Sequence, residues 1–356
     1  MSITKKLKNI IILILINILF IFAVELAVRL AFPQINFQGL DTNLFRENSF
    51  GQSHGFKPYA KGYCMGKIIY TNEFGFRNNP YLEQIDKNSS AIVILGDSIS
   101  LGSGVSAANV YPFILQKKLK NYKIINSSVT GYDIQDYLNI LETITPKIDF
   151  EGIIVGICLN DFITTSKSQI NIALEDKREI QQSRSTFRIL RGFSYKNNNL
   201  LEFFRRHSKV YHLLKRIFID TSKNYFFGET EFYSSPQAKQ IISQGLEDIH
   251  NFAYRHNKWI VFIVFPYEYQ LRPNISYEEI ILKPQEIIRE VAIEKGFKII
   301  DLYPVLRNNI EKSKIKSESL YLYGDPMHFN SQGHKLIAQL VYDKLKELKL
   351  LKDNVK

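Results

Sequence analysis

Ser98 stands in Gly96-Asp97-Ser98, where the apolar run Ala91–Leu95 ends, and a Gly-rich turn from Leu101 to Gly104 follows it. Near the C-terminus, Asp325-Pro-Met-His328 sets a carboxylate three residues before a histidine. A serine hydroxyl is a weak nucleophile and needs a base, and that base needs an anion to hold its tautomer and stabilise the imidazolium. Ser98, His328 and Asp325 supply those three parts, which makes acyl transfer through serine the chemistry to test.

Such groups need a scaffold that brings distant positions together. From Ala91 the pattern alternates: a strand at 91–95, a helix over 107–120, a strand at 122–126, a helix over 133–143 and a continuous apolar strand at 152–159. It resumes with helix 237–256, strand 259–265, helix 277–295, strand 297–302 and helix 331–348. Strands that alternate with helices at this spacing predict a parallel sheet covered on both faces, a three-layer α/β/α sandwich of five strands. Continuous apolar strands suit burial on both faces, and chemistry in such sheets gathers at the carboxyl ends of strands.

Gly-Asp-Ser-x-x-x-Gly after the first strand resembles the first block of the SGNH (GDSL) hydrolase family. The other blocks follow in order: Gly131 after the second strand, Asn160-Asp161 after the third, and Asp325-x-x-His328 before the last helix. The resemblance covers roughly residues 88–160 and 236–350. It implies Ser98 as nucleophile, His328 as general base and Asp325 as its partner, with the Ser98 and Gly131 N–H groups and the Asn160 amide as oxyanion donors. One departure is Cys158, where the third block usually carries Gly. Asn72, Gly75 and Arg77, as Asn-x-x-Gly-Phe-Arg, also recur in membrane-tethered bacterial members that this chain resembles. Arg77 is expected to hold this lead-in against the sheet, the other reading being contact with an anionic substrate.

Other candidates carry less. Ser98 alone could be a turn or cap residue, and Asp97 is expected to shape its loop. His334 has no acid three residues before it and reads as a surface helix residue. Gly102-x-Gly-x-x-Ala107 mimics a dinucleotide loop but lacks the acidic residue about twenty positions on. No cofactor or metal site is expected. Cys64 and Cys158 are the only cysteines, too few for a disulfide framework. Cys158 reads as a buried small hydrophobe, while Cys64 lies in a polar stretch.

The formal net charge is +11, yet no nucleic-acid module signature accompanies it, and nucleic acid is not an expected partner. Lys5, Lys6 and Lys8 precede an apolar stretch that runs from Ile10 to Phe32. That is long enough to cross a bilayer core, which takes about 20 residues. Glu25 and Arg29 interrupt it four apart, placed to pair on one face. If Ala23, Ala27 or Ala31 preceded a cleavage, the slot two residues earlier would hold Ile21, Glu25 or Arg29, none of them small. The expectation is an uncleaved signal anchor with the N-terminus cytoplasmic and the remainder outside a bacterial cytoplasmic membrane.

The expected division is therefore 1–33 tail and anchor, 34–89 lead-in, and 90–350 hydrolase domain with a basic helical insertion at 162–235. The insertion alternates cations such as Arg205, Arg206, Lys209, Lys215 and Arg216 with apolar residues. It reads as a surface excursion with solvated cations, or as an amphipathic cover lying on the membrane or the site. The expected activity is hydrolysis of an ester on an acylated glycan or lipid of the envelope. An O-acetyltransferase of surface polysaccharide using the same triad, and a tethered binding or assembly protein without chemistry, remain open.

Overall fold

The structure is a computed structural model and describes residues 3–85, 89–163, 199–273 and 278–352. Helix α1 spans Ile3–Ala31, and Pro33 follows it. Its segment Leu7–Ala31 is 25 residues long with mean hydropathy 3.0, and its side chains stand outside the protein core. At 1.5 Å per residue it is long enough for a hydrocarbon core of about 30 Å. Asn17, the polar residue in its middle, donates to the Leu13 carbonyl at 2.8 Å, so its amide is satisfied along the helix.

Five strands form the parallel sheet: β5 (Ser90–Gly96), β6 (Tyr122–Asn126), β7 (Gly152–Ile157), β8 (Trp259–Val264) and β9 (Ile299–Asp301), in the order β6-β5-β7-β8-β9. From Ala91 on, the central strands are apolar because both faces are covered; Ile92, Val93, Ile94, Ile153, Ile154 and Val155 are fully buried. The chain steps from β5 to β6 in one direction and then from β7 to β9 in the other. Right-handed crossovers accordingly put the first helix and the later ones on opposite faces. Helix α3 (Tyr111–Lys118) packs with the closing helix α11 (Ser331–Glu347), while α4 (Ile134–Ile144), α8 (Ala238–Arg255) and α9 (Glu278–Lys295) pack in a row. The reversal falls beside β5, and the crevice at a reversal is where open α/β sheets collect ligands.

Residues 34–85 are more structured than their composition predicts. They form two antiparallel hairpins, β1 (Phe45–Phe50) with β2 (Ser53–Phe56) and β3 (Lys61–Cys64) with β4 (Lys67–Tyr70). Phe50, Phe56, Cys64, Ile69 and Phe76 are buried in the same core as the sheet. Cys64 is thus not in polar surroundings: it is buried and its thiol meets the Ser103 hydroxyl at 3.4 Å. The alternation was hidden because the strands hold only four to six residues each. Both cysteines are free thiols, and burial pushes each upward in pKa.

Three further helices, α5 (Asn199–His207), α6 (Lys209–Phe218) and α7 (Thr221–Thr230), precede α8. Helix α10 (Tyr303–Ser313), which the sequence pattern does not announce, follows β9 and carries Pro304 in its first turn. A proline at the first turn is compatible with helix, because the first N–H groups lack intrahelical acceptors. Arg184, Arg188, Arg191 and Lys196 lie outside the described residues.

Candidate active site

Each candidate group sits at the carboxyl end of a strand or just before the last helix. β5 ends at Gly96, Asp97 turns the chain, and Ser98 opens the short helix α2 (Ser98–Leu101). Asp97 caps that helix by accepting the Ile99 N–H at 2.8 Å on Oδ1, as an N-cap carboxylate should. Gly102 ends it with φ +77°, in the left-handed region, where a side chain would collide with Val110.

Arg77 locks this turn from outside the strand. Its guanidinium is 2% exposed and donates to the carbonyls of Leu101 (2.6 Å), Gly102 (2.8 Å) and Val105 (2.5 Å). Burial pulls its pKa down to about 10, so it stays charged at neutral pH. The preceding residues place it: Asn72 Oδ1 accepts the Phe74 and Phe76 N–H groups at 3.0 and 2.9 Å, and Gly75 takes φ +81° against the Phe56 carbonyl. The Asn-x-x-Gly-Phe-Arg motif is therefore a turn that aims one buried cation at the loop behind Ser98.

The chain next to the histidine is equally committed. Leu322 N–H donates to the His328 carbonyl at 2.8 Å, and Tyr321 bridges Phe329. Asp325 Oδ1 accepts three donors: Met327 N–H at 3.0 Å, His328 N–H at 2.8 Å and His328 Nδ1 at 2.9 Å. On the other side of the ring, His328 Nε2 lies 2.8 Å from Ser98 Oγ. Ser98 and the Asp325–His328 pair, more than two hundred residues apart in sequence, form one hydrogen-bonded relay. Burial pushes the Asp325 carboxyl up, but the facing imidazole and the N–H donors outweigh it and hold it below its usual range. For His328, burial acts downward and the Asp325 charge and hydrogen bond act upward; the net direction is up from 6.5.

Ser100 is excluded from this relay. It is fully buried, with its hydroxyl 2.9 Å from the Tyr111 hydroxyl. A Cβ at Gly96 or Gly156 would collide with its Oγ, so both strand glycines make room for it.

Gly131 and Asn160 lie past the ends of β6 and β7, the two strands that flank β5. Gly131 has φ +83° and open space where a side chain would stand. Its loop is braced by the β1–β2 hairpin, through His54 Nε2 to the Thr130 carbonyl at 3.0 Å and the Tyr132 hydroxyl to the His54 carbonyl. Asn160 sits in a turn that Asp161 holds. Asp161 Oδ2 accepts the Tyr137 hydroxyl at 2.7 Å and the Cys158 N–H at 2.9 Å, and the Leu159 carbonyl accepts the Tyr233 hydroxyl at 2.7 Å. Cys158 fits where the family pattern has glycine because its thiol packs inward, 3.6 Å from the Tyr267 hydroxyl.

Asp97, Cys158 and Asp161 form a buried cluster with ligand atoms within 4.8 Å of one another. Burial first, and the neighbouring carboxylate second, push Asp161 well above its usual range; burial also raises Asp97. Most of the cluster's oxygens already serve Ile99, Ser98, Tyr137 and Cys158, which makes it a fastening under Ser98. The role of Asp161 was readable only as the second letter of the Asn-Asp pair.

His334 corrects the sequence reading. It is buried at 1% exposure, accepts the Tyr111 N–H on Nδ1 at 3.3 Å and stacks on the Tyr111 ring. Burial lowers its pKa to about 3, so it is a neutral packing residue between α3 and α11. Nor are the insertion's cations simply solvated. Arg205 pairs with Glu202, Arg206 with Glu202 and Asp41, and Arg216 with Glu318, while Lys209 Nζ donates to the Phe32 and Pro33 carbonyls. A cavity of about 280 Å³ lies between the end of α6 and the relay, lined among others by Arg216, Phe218, Ile219, Arg272, Leu322 and Asp325.

The family model of the GDSL-like lipase/acylhydrolases matches residues 94–336, from the end of β5 to the start of α11, a range that holds Ser98, Gly131, Asn160, Asp325 and His328. The chain belongs to that family. Solved structures that are similar to it include a lipolytic G-D-S-L protein from Veillonella parvula (12% identity, TM-score 0.42, 72% of this chain and 99% of that one). Others are the acetyl xylan esterase AlAXEase (15%, 0.41, 72% and 99%) and a two-domain esterase active on acetylated mannans (10%, 0.43, 74% and 50%). Among curated proteins none matches. The GDSL-like region takes in the end of β5 and the other four strands of the sheet, while α1 and the two hairpins precede it.

Proposed function

We propose that this chain is a membrane-anchored serine hydrolase that cleaves an ester through an acyl-serine intermediate. One observation carries the reading: Asp325 Oδ1, His328 and Ser98 Oγ are joined by contacts of 2.9 and 2.8 Å at the reversal of a parallel sheet. In the acylation step Ser98 Oγ attacks the ester carbonyl carbon while His328 Nε2 takes the hydroxyl proton. The tetrahedral oxyanion is held by the Ser98 and Gly131 N–H groups and the Asn160 side-chain amide, which rise from three adjacent strand ends. His328 then hands the proton to the departing alkoxide, which leaves as an alcohol. Water, deprotonated by the same ring, attacks the acyl-serine; a carboxylic acid leaves and Ser98 regains its proton. Asp325 stays ionised throughout and stabilises the imidazolium. Each oxyanion donor is worth about 2.7–4 kcal/mol because charge develops on that oxygen in the transition state.

Placement follows from α1. Cations at Lys5, Lys6 and Lys8 precede the apolar segment, which supports a cytoplasmic N-terminus and an α/β domain outside. Acylated glycans and lipids of the envelope are the esters within reach there.

Covalent labelling of the full chain with a fluorophosphonate tests this. Ser98→Ala should abolish labelling and hydrolysis of an activated acetyl ester. Ser100→Ala should keep both, at a stability cost of about 1 kcal/mol for one buried hydrogen bond. Labelling that survives Ser98→Ala would overturn the assignment.

A further inference from the structure

Helices α5 and α6 are built inside out. On an ordinary surface helix the stripe at i, i+3, i+4 turns to the core and the charges turn to water. Here Leu200, Phe203 and Phe204 form such a stripe on α5, and Leu214, Ile217 and Phe218 form one on α6, and all six are exposed. Ile217 is 64% exposed and Phe218 79%. Of the cations of the same helices, Arg206 and Arg216 turn to other parts of the protein, pairing with Asp41 and Glu318, while Arg205 pairs with Glu202 on its own helix.

The joint between the two helices is clamped to the top of α1. Glu25 accepts the N–H groups of Lys209 (2.9 Å) and Val210 (3.2 Å) and the Ser208 hydroxyl (2.9 Å), while also pairing with Arg29 at 2.7 Å. Arg29 in turn donates to the His207 carbonyl at 2.6 Å. An anion thus sits at the N-terminus of α6 and a cation at the C-terminus of α5, each placed as the helix dipole favours. This explains why an otherwise apolar helix carries Glu25 and Arg29. It also sets the apolar stripes beside the point where α1 leaves its apolar segment at Ala31.

From this we infer that the α5–α6 pair is a membrane-contacting surface, its six apolar side chains seated in the interfacial layer of the bilayer that α1 crosses. The inference rests on the membrane-anchored reading above. The occupant is lipid because the stripes are continuous with the apolar helix through the Glu25–Arg29 clamp. Contact is apolar in character, since Arg205, Arg206, Lys209 and Arg216 are engaged within the protein. Phe218 and Ile219 also line the cavity that reaches Asp325, so an ester carried by a lipid would meet the catalytic acid's loop at the bilayer surface.

The test uses the full chain in vesicles of phosphatidylcholine and phosphatidylglycerol. Cys64 and Cys158 are buried, so a polarity-sensitive thiol dye goes to an introduced cysteine: Phe203→Cys, Phe218→Cys, Leu15→Cys within α1, or Tyr254→Cys at the far end of α8. Quenching by a spin-labelled lipid should be several-fold stronger at 203 and 218 than at 254, and quenching by aqueous iodide correspondingly weaker. Iodide reaching 203 and 218 as it reaches 254 would overturn the inference. So would shielding from both quenchers, which would mean that protein covers the stripes. Leu15 separates the two failures: a lipid-quenched probe there with iodide-quenched 203 and 218 refutes only the docking surface. Iodide at Leu15 refutes the anchor as well.

Discussion

Asp325→Asn isolates the charge of the relay from its geometry. Asp325 Oδ1 is held by the Met327 and His328 N–H groups at 3.0 and 2.8 Å. In the asparagine variant the amide oxygen keeps those two donors and stays on the Nδ1 side of the ring, so the imidazole tautomer is retained. What disappears is the carboxylate charge 2.9 Å from Nδ1. Unit charges at that distance attract by about 6 kcal/mol at an effective dielectric of about 20, an upper bound of which the amide dipole keeps a part. A loss of roughly 10²–10⁴ in kcat/KM is expected, since each 1.4 kcal/mol is about tenfold. Asp325→Ala removes the acceptor too and should fall further. The pH profile carries the sign. His328 must be neutral to accept the proton, and Asp325 raises its pKa above 6.5 against the downward pull of burial. The wild-type acid limb therefore lies above pH 6.5, and removal of the charge should move it to lower pH even as the rate drops. The assay is kcat/KM for a neutral activated ester across the pH range, with wild type, Asp325→Asn and Asp325→Ala side by side. An acid limb that stays put or rises, or equal losses in the two variants, would refute the reasoning.

Two further outcomes follow from the buried groups around the relay. Arg77→Met leaves the carbonyls of Leu101, Gly102 and Val105 without their donor, which should cost about 2–4 kcal/mol in chemical denaturation even after relief of the cation's burial. Arg77→Lys, which cannot span three carbonyls, should recover little of that stability; full stability with full activity would remove Arg77 from its proposed support role. His334 is neutral in the folded protein, with a pKa near 3 against 6.5 when free. Between those values the unfolded chain binds the extra proton, so stability falls as pH drops below about 6.5, by up to about 1.4 kcal/mol per unit. Denaturation of His334→Gln in detergent should show a correspondingly shallower dependence between pH 6 and 4, and an unchanged slope would contradict the assignment.

Much of the scaffold was legible in the chain itself. Ile92–Leu95 and Ile153–Val155 announce doubly covered strands because both sheet faces exclude water, and the helices between them follow from apolar spacing. Ser98, Asp325 and His328 could be picked out because a serine at a strand end and a carboxylate three residues before a histidine are the parts of a relay, whereas Gly131 and Asn160 were legible only through the resemblance to the SGNH blocks. The length and apolar character of residues 10–24, broken only by Asn17, likewise depend on no neighbour. What remained hidden depends on contacts between distant segments. Four-to-six-residue hairpins such as Lys61–Cys64 carry too few positions to show a period. His334 looks polar and exposed along its own helix, yet Tyr111, over two hundred residues earlier, buries it. The same holds for Glu25 and Arg29, whose spacing foretold a pair but not the helix joint they clamp, and for the cations of α5 and α6. Local pattern records which side of an element is apolar; whether that side meets protein or lipid is decided only by what the fold sets against it.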